Sequence, residues 1–350
     1  MKEYGDIEMA YIAGVMDGDG SFSLIKRKNG LRSPLYQPLI QMGNVCYELV
    51  LRMQEAFGGY IHTRSAYIGK DGSNRQEFFS WKLDKTNACT PLLKRLAEFL
   101  VIKKERAKFL LDYIGMNPFK RGSNRLTPDV LEKREQAYNH MISLNENPEL
   151  IEYLGVGQTK DMSKDPMFWS YLAGLMDTDG SFTINKYHNN PSILLTMTDV
   201  RAINFFRKGC SVGNFCFVDA QSCKKKSCYR FYITGRQEAI PFLKEIIPYL
   251  FVKRQVAEYL LEYCQSMNVT KYRRSGISED ELLRRRSCHE HIVGLNSNKH
   301  GVYKPSLIDL EVPKRDDRAQ AGCEAVQGER LSERDADNSV CDSLTTAIAY

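Results

Sequence analysis

The sequence predicts an α+β fold in two pseudo-symmetric halves, each built from one helix, a four-stranded antiparallel sheet and helices that cover the sheet. Three observations carry this. The string Tyr11-Ile12-Ala13-Gly14-Val15-Met16-Asp17-Gly18-Asp19-Gly20-Ser21-Phe22 recurs 160 residues on as Tyr171-Leu172-Ala173-Gly174-Leu175-Met176-Asp177-Thr178-Asp179-Gly180-Ser181-Phe182. After each copy, apolar residues change from helical spacing to alternation, Phe22 and Leu24 against Ser23 and Arg27, Phe182 and Ile184 against Thr183, Asn185 and Tyr187, which is the period of a half-buried strand. Later segments repeat in the same order: Val101-Ile102-Lys103-Lys104 is echoed by Phe251-Val252-Lys253-Arg254, and Ser143-Leu144-Asn145 by Gly294-Leu295-Asn296. Two copies of a long unit argue against a solenoid and for two similar domains facing each other across a pseudo-two-fold axis.

The elements follow in order. Asp6 is the expected N-cap of the first repeated helix, and Asp165 followed by Pro166 caps the second, with Pro at the first helical position. Both helices are expected to stop at the glycines, Gly20 and Gly180. Strand-like runs cover 35–43, 60–64 and 77–83 in the first copy, and 193–198, 214–218 and 229–234 in the second. Helical patterns occupy 46–57, 90–114 and 128–144, then 200–208, 237–267 and 278–295. Residues 146–164 lack periodicity and read as a linker between half-domains at 1–145 and 165–300. Residues 301–350 are acidic and unpatterned and read as a disordered tail.

Composition excludes several classes. At 350 residues, 43% hydrophobic and 26% charged, the chain can bury two cores. It has no apolar run near the ~20 residues that span a bilayer, so no membrane span is expected. The net charge is +6, and residues 301–350 carry six basic and ten acidic side chains, which leaves the first 300 residues at +10. A basic, aromatic-containing body suits a polyanionic partner. Ten cysteines occur without a secretory signal pattern, so the thiols are expected to be reduced and the protein not secreted. Cys210, Cys216, Cys223 and Cys228 cluster without the CxxC spacing of structural zinc sites and read as small buried hydrophobes.

The repeated helix carries the chemistry. Ala10, Gly14 and Gly18, like Ser170, Gly174 and Thr178, recur every four residues, and such small stripes let helix backbones approach closely. Gly14 and Gly174 are the expected contact points. Pairing the helices brings Asp19 and Asp179 together at helix C-termini, where the dipole is already negative. Unless the two acids merely cap or turn, a hard divalent cation held by carboxylates and the free terminal carbonyls would reverse that repulsion, and Mg2+ is the natural occupant. Two such sites beneath a basic sheet suit phosphodiester hydrolysis.

Residues 12–20 and 172–180 resemble the two nonapeptide signatures of the LAGLIDADG homing endonucleases in their single-chain, two-motif form, and the resemblance covers roughly residues 5–300. It implies a monomeric, magnesium-dependent, site-specific DNA endonuclease that breaks both strands across the minor groove, one strand per active site, in the service of intron mobility. It implies two or three Mg2+ ions at the domain interface, bound by Asp19 and Asp179 with the carbonyls of Gly18 and Thr178. Asp17 and Asp177 are then structural. Lys103 and Lys253 fall near the scissile phosphates, while Asn44 and Asp199 align with the positions that order active-site water.

The resemblance also implies that each sheet lies in the major groove, whose base edges carry the sequence code. The outward candidates are Ser23, Arg27, Asn29, Gln37, Gln41, His62 and Arg64 in the first copy, and Thr183, Asn185, Tyr187, Asn189 and Arg230 in the second. Lys224, Lys225 and Lys226 would meet phosphate. Two sheets end to end would cover about 20 base pairs, and the unequal copies imply a non-palindromic site. A maturase that binds host-intron RNA is the alternative on the same fold. A non-catalytic DNA-binding regulator would be expected to have lost an acid, and both acids are present. The first motif begins ten residues from Met1, so expression in the genome's own compartment is expected, a chloroplast, a mitochondrion or a prokaryotic cytoplasm.

Overall fold

The computed structural model describes residues 4–29, 32–70, 72–116, 127–144, 160–219, 227–267 and 279–297. The first half runs α1 (Asp6–Gly18), β1 (Gly20–Asn29), β2 (Arg32–Asn44), α2 (Tyr47–Phe57), β3 (Tyr60–Arg64), β4 (Tyr67–Ile68), β5 (Asn74–Arg75), β6 (Phe78–Leu83), α3 (Thr86–Phe99), α4 (Lys104–Met116) and α5 (Pro128–Ser143). The second runs α6 (Pro166–Asp179), β7 (Gly180–Ile184), β8 (Pro191–Met197), α7 (Val200–Arg207), β9 (Asn214–Val218), β10 (Cys228–Ile233), α8 (Arg236–Ile246), a 3-10 turn (Ile247–Tyr249), α9 (Arg254–Ser266) and α10 (Glu279–Ser297). Each half holds a four-stranded antiparallel sheet, ordered β1-β2-β6-β3 and β7-β8-β10-β9. In the first half a two-stranded β4–β5 hairpin lies between β3 and β6. Among the described residues no helix is long and apolar enough to cross a membrane.

Period-two burial decides which sheet face turns inward. Phe22, Ile40, Trp81 and Leu83 pack under α2 and α3 in the first half, and Phe182, Ile193, Phe231 and Ile233 pack with Phe206, Phe242 and Leu243 in the second. Among the described residues the opposite face of each sheet carries no covering helix. Trp81 and Trp169 are fully enclosed because each indole N–H finds a carbonyl, Gly58 at 2.7 Å and Ser163 at 2.8 Å, which removes the cost of burying that donor. Cys210 is buried as expected, and Cys216 and Cys228 sit on neighbouring strands. Cys223, most of the expected linker and the expected tail lie outside the described residues.

Two local expectations need correction. Gly5, not Asp6, is the N-cap of α1: its N–H donates to Glu8 at 2.9 Å, while Asp6 is the first helical residue and pairs with Arg95. Asp165 does cap α6, accepting from the Met167 N–H. The patterns at 90–114 and 237–267 are not single helices but break at residues 100–103 and 247–253. Leu100 turns extended at φ −61°, ψ 139°. The apolar period runs on across the break, but the backbone N–H groups there are claimed from elsewhere.

The two halves meet along α1 and α6. A Cβ added at Gly14 would lie 2.0 Å from the Tyr171 carbonyl oxygen, and one at Gly174 2.1 Å from that of Tyr11. Real contacts never come so close, so backbone lies against backbone. Ser170 Oγ, on the same stripe, donates to the Ile7 carbonyl at 2.6 Å.

Candidate active site

The breaks between helices are built on two buried acids. Asp17 accepts the N–H groups of Val101, Ile102 and Lys103 at 2.8, 2.9 and 2.7 Å. Asp177 accepts those of Phe251, Val252 and Lys253 at 2.7, 3.0 and 2.8 Å. Each also accepts a hydroxyl from the opposite half, Tyr171 on Asp17 at 2.7 Å and Tyr11 on Asp177 at 2.8 Å. Burial pushes both carboxyls up, and the converging donors oppose it. Asp17 and Asp177 therefore shape the chain rather than face a ligand.

What they position is a lysine. Lys103 Nζ donates to the carbonyls of Met16, Gly18 and Gly20 at 3.0, 2.8 and 2.7 Å. Lys253 Nζ does the same for Met176, Thr178 and Gly180 at 2.8, 3.2 and 2.6 Å. Each ammonium caps the negative end of its motif helix, which is where a cation is stabilised. Burial lowers the Lys103 pKa, against the attraction of Asp17, Asp179 and Asp19.

The helix ends themselves abut. A Cβ at Gly18 would lie 2.0 Å from Thr178 Oγ1 and 3.2 Å from Asp179 Oδ2, so glycine is what lets the two ends close. Asp179 is exposed to solvent, yet the protein packed on one side of it, and then the Asp19 charge, push its carboxyl up to about 6, with Lys103 and Lys253 pulling the other way. Asn44 Nδ2 donates to Asp19 Oδ2 at 2.6 Å while its Oδ1 accepts from Cys46 N–H, which fixes the Asp19 carboxylate. Asp199 stands at the equivalent place but is held differently: it caps α7 through the Arg201 N–H and takes the Arg201 guanidinium at 2.5 and 2.9 Å. Arg106 of α4 lies in the same electrostatic neighbourhood, its pKa lowered by burial and by Arg201.

A divalent ion fits this place only in part through side chains. Among the described residues no group of three or more His, Cys, Asp or Glu could hold a metal. The available donors are the Asp19 and Asp179 carboxylates and the Gly18 and Thr178 carbonyls. A carbonyl oxygen has two lone pairs, so contact with a lysine does not close it. Hard oxygen donors with excess negative charge suit Mg2+ or Ca2+, which take water and substrate oxygens as remaining ligands.

The uncovered sheet faces follow from the register. In the first half Ser21, Ser23, Ile25 and Arg27 lie opposite Gln41, Leu39, Gln37 and Leu35, Gln41 lies opposite Lys82, and Tyr60, His62 and Arg64 face Lys82, Ser80 and Phe78. Ser23, Arg27, Gln37, Gln41, His62 and Arg64 thus share one face. Gln37 donates to the Asp84 carbonyl, and the Arg64 guanidinium lies over the Tyr67 and Phe78 rings. The Asn29 backbone pairs with Arg32 beyond a register shift. In the second half Thr183 lies opposite Ser192, and Arg230 opposite Thr196 and Cys216. Arg230 is only 5% exposed. Tyr187 stands 75% exposed, but Asn185 and Asn189 build the turn rather than face outward. Asn185 Oδ1 accepts from the N–H groups of Tyr187 and His188. Asn189 is buried at φ 52° with its carbonyl taken by the Tyr263 hydroxyl, a left-handed conformation asparagine tolerates. Lys224, Lys225 and Lys226 lie outside the described residues.

No family model and no curated protein matches this sequence. Solved structures do resemble it. Meganuclease I-SmaMI bound to uncleaveable DNA superimposes with a TM-score of 0.56 at 14% identity, covering 82% of this chain and 99% of that one. LAGLIDADG homing endonuclease I-GzeII in complex with its DNA target gives 0.56 at 15%, covering 83% and 97%. I-LtrWI bound to target DNA gives 0.54 at 13%, covering 81% and 97%. The chain has the LAGLIDADG homing endonuclease fold. In this chain the motif helices α1 and α6 form the seam between the halves, which is why Asp19 and Asp179 meet there.

Sequence reasoning passed over several residues of this LAGLIDADG seam and its sheets. Tyr11 and Tyr171 were visible as identities in the repeat, but nothing local shows that their hydroxyls cross to the other half. Tyr60, Ser80 and Lys82 lie on the uncovered face with Gln41 and His62, and alternation along 78–83 was signal enough to find them. Arg106 and Arg201 carry no such signal, because their proximity is tertiary.

Proposed function

We propose that the protein is a site-specific, divalent-metal-dependent DNA endonuclease that cuts both strands of its target, one at each motif. The observation that carries this reading is the doubled arrangement at the seam: two carboxylates on abutting helix ends, each beside a lysine ammonium held by its own half. The solved neighbours support it, since I-SmaMI, I-GzeII and I-LtrWI were each determined on DNA, and I-SmaMI also in the presence of calcium ions. Asp19 and Asp179, with the Gly18 and Thr178 carbonyls, would hold Mg2+. When bound, the ion supplies charge neutralisation at the phosphate and activation of water.

The remaining work belongs to the chain. Lys103 and Lys253 place fixed positive charge where negative charge develops on the phosphate oxygens, and preorganised charge in a crowded site costs no rearrangement at the moment of reaction. Asn44 holds the Asp19 carboxylate in one orientation. The uncovered sheet faces read base edges in the major groove over about two helical turns of duplex, about 20 base pairs. The unequal residues on the two faces make the site non-palindromic, and a single chain suffices. Intron mobility, in an organelle or a prokaryotic cytoplasm, is the biological role we assign to such cleavage.

The test is digestion of a plasmid library randomised over two helical turns, with magnesium, using wild type, Asp19→Asn and Asp179→Asn. The wild type should linearise one related set of sites while each variant at most nicks them. If no duplex is cut, or both variants cut normally, the reading fails and binding to structured intron RNA is the next measurement.

A further inference from the structure

We propose that Tyr171 and Tyr11 are positioning residues that act across the seam, each hydroxyl on the motif helix of one half holding the lysine of the other half in place. The path is short. Tyr171 donates to Asp17 Oδ2 at 2.7 Å. The same carboxylate carries the N–H groups of Val101, Ile102 and Lys103, and Lys103 then spans the carbonyls that end α1. From Tyr11 the path runs through Asp177 to Phe251, Val252 and Lys253. The two paths cross the interface in opposite directions and arise at equivalent positions of the repeat.

The physical reason for the fourth donor lies in the torsion of the acid. The carboxylate torsion of aspartate is broad and roughly two-fold. In each half three amide donors approach from one segment, two on Oδ2 and one on Oδ1. Those amides set the rotation from one side, and a hydroxyl arriving on Oδ2 from the opposite helix secures it from the other. A phenylalanine would fill the same space without bringing a hydroxyl to be desolvated, and burying that hydroxyl is favourable only where its partner accepts it. Both halves retain it. Each lysine is therefore ordered by the partner half, which makes the two motif sites mutually dependent.

The cleavage arm of the test rests on the endonuclease reading, and the exchange arm does not. Full-length Tyr171→Phe and Tyr11→Phe keep the ring packing. Lys103→Met and Lys253→Met identify which strand each lysine serves. Tyr171→Phe should slow the strand that Lys103→Met slows by about tenfold, the worth of one hydrogen bond to a charged group, and leave the other strand within about twofold. Tyr11→Phe should do the converse. In hydrogen exchange without DNA or metal, amides 101–103 should exchange about tenfold faster in Tyr171→Phe while 251–253 stay unchanged, with the mirror result in Tyr11→Phe. Equal slowing of both strands, equal loss of protection in both segments, or unchanged exchange at 101–103 overturns the proposal. If the wild type cuts no duplex the endonuclease reading fails alone, and the exchange result still decides this one.

Discussion

Gly14→Ala, like its symmetric counterpart Gly174→Ala, should be far more damaging than a methyl added to a helix outside the seam. The new Cβ would sit 2.0 Å from the Tyr171 carbonyl oxygen, 2.9 Å from the Leu175 nitrogen and 3.0 Å from the Tyr171 carbonyl carbon, all backbone. No side chain can swing aside, so α1 and α6 must separate by about 1 Å, and a gap of that size forfeits a quarter to a half of each dispersion contact across the seam. Overpacking of this kind costs about 1–3 kcal/mol. The same movement stretches the Tyr11–Asp177 and Tyr171–Asp17 hydrogen bonds from 2.8 and 2.7 Å, and each bond to a charged group contributes about 1.5–3 kcal/mol. The sum is about 4–9 kcal/mol, comparable with the whole stability of many domains. Gly115 in α4 and Gly294 in α10 provide the control, because a Cβ at either meets nothing within 4 Å. Alanine there should stabilise by about 0.5–1 kcal/mol. Thermal and urea melts of the three variants check this: the first should lose well over 5 °C at about 2 °C per kcal/mol for a chain of this size, and the controls should not fall. A Gly14→Ala melt within 1 °C of wild type, or a Gly115→Ala loss as large, would refute the close-packed seam.

Other perturbations follow from the same geometry. The folded-state carboxyl of Asp179, raised to about 6 from 3.8, means that the metal-free fold is disfavoured by this charge above pH 6 and gains stability as pH falls from 6 towards 3.8. Magnesium should therefore raise the melting temperature at pH 7.5 and much less at pH 5, and Asp179→Asn should remove most of that pH dependence, measured by melts with magnesium or a chelator. Asp17→Asn should cost about 3–5 kcal/mol, since an amide oxygen can serve about two of the four donors and its own N–H groups meet the rest; urea titration reads this. Asn44→Ala removes the Asn44 hydrogen bond from the Asp19 carboxylate and should slow cleavage of one strand, whereas Arg201→Ala, which takes the guanidinium from Asp199 but leaves the backbone cap of α7 in place, should lower stability by at most about 1 kcal/mol; strand-resolved nicking and melts separate the two. Lys82→Ala should weaken DNA binding and reduce the magnitude of the salt slope by about 1 if it meets a phosphate, read by fluorescence anisotropy between low and moderate salt.

Much of this was legible in the chain itself. The repeat at 11–22 and 171–182, the helix-to-strand change at Gly20 and Gly180, and the alternation that buries Phe22 and Phe182 are local patterns, because side-chain periodicity and backbone sterics act over a few residues. The small stripe at Gly14 and Gly174 likewise announced a close helix pair, and Asp19 and Asp179 stood out as acids at helix ends. Tertiary structure decided the rest. The break after Phe99 is invisible in the apolar period, because what ends the helix is Asp17, 84 to 86 residues earlier in the chain, taking the amides of Val101, Ile102 and Lys103. Asn44 and Asp199 align perfectly well, yet one holds Asp19 and the other holds Arg201, a difference set by which side chain folding brings alongside. The exchange of Tyr11 and Tyr171 hydroxyls spans 166 and 154 residues. A hydrogen bond has no preference for sequence separation, so the sequence by itself determined the elements and the placement of the acids at their ends, and only the packing of one half on the other determined what those acids touch.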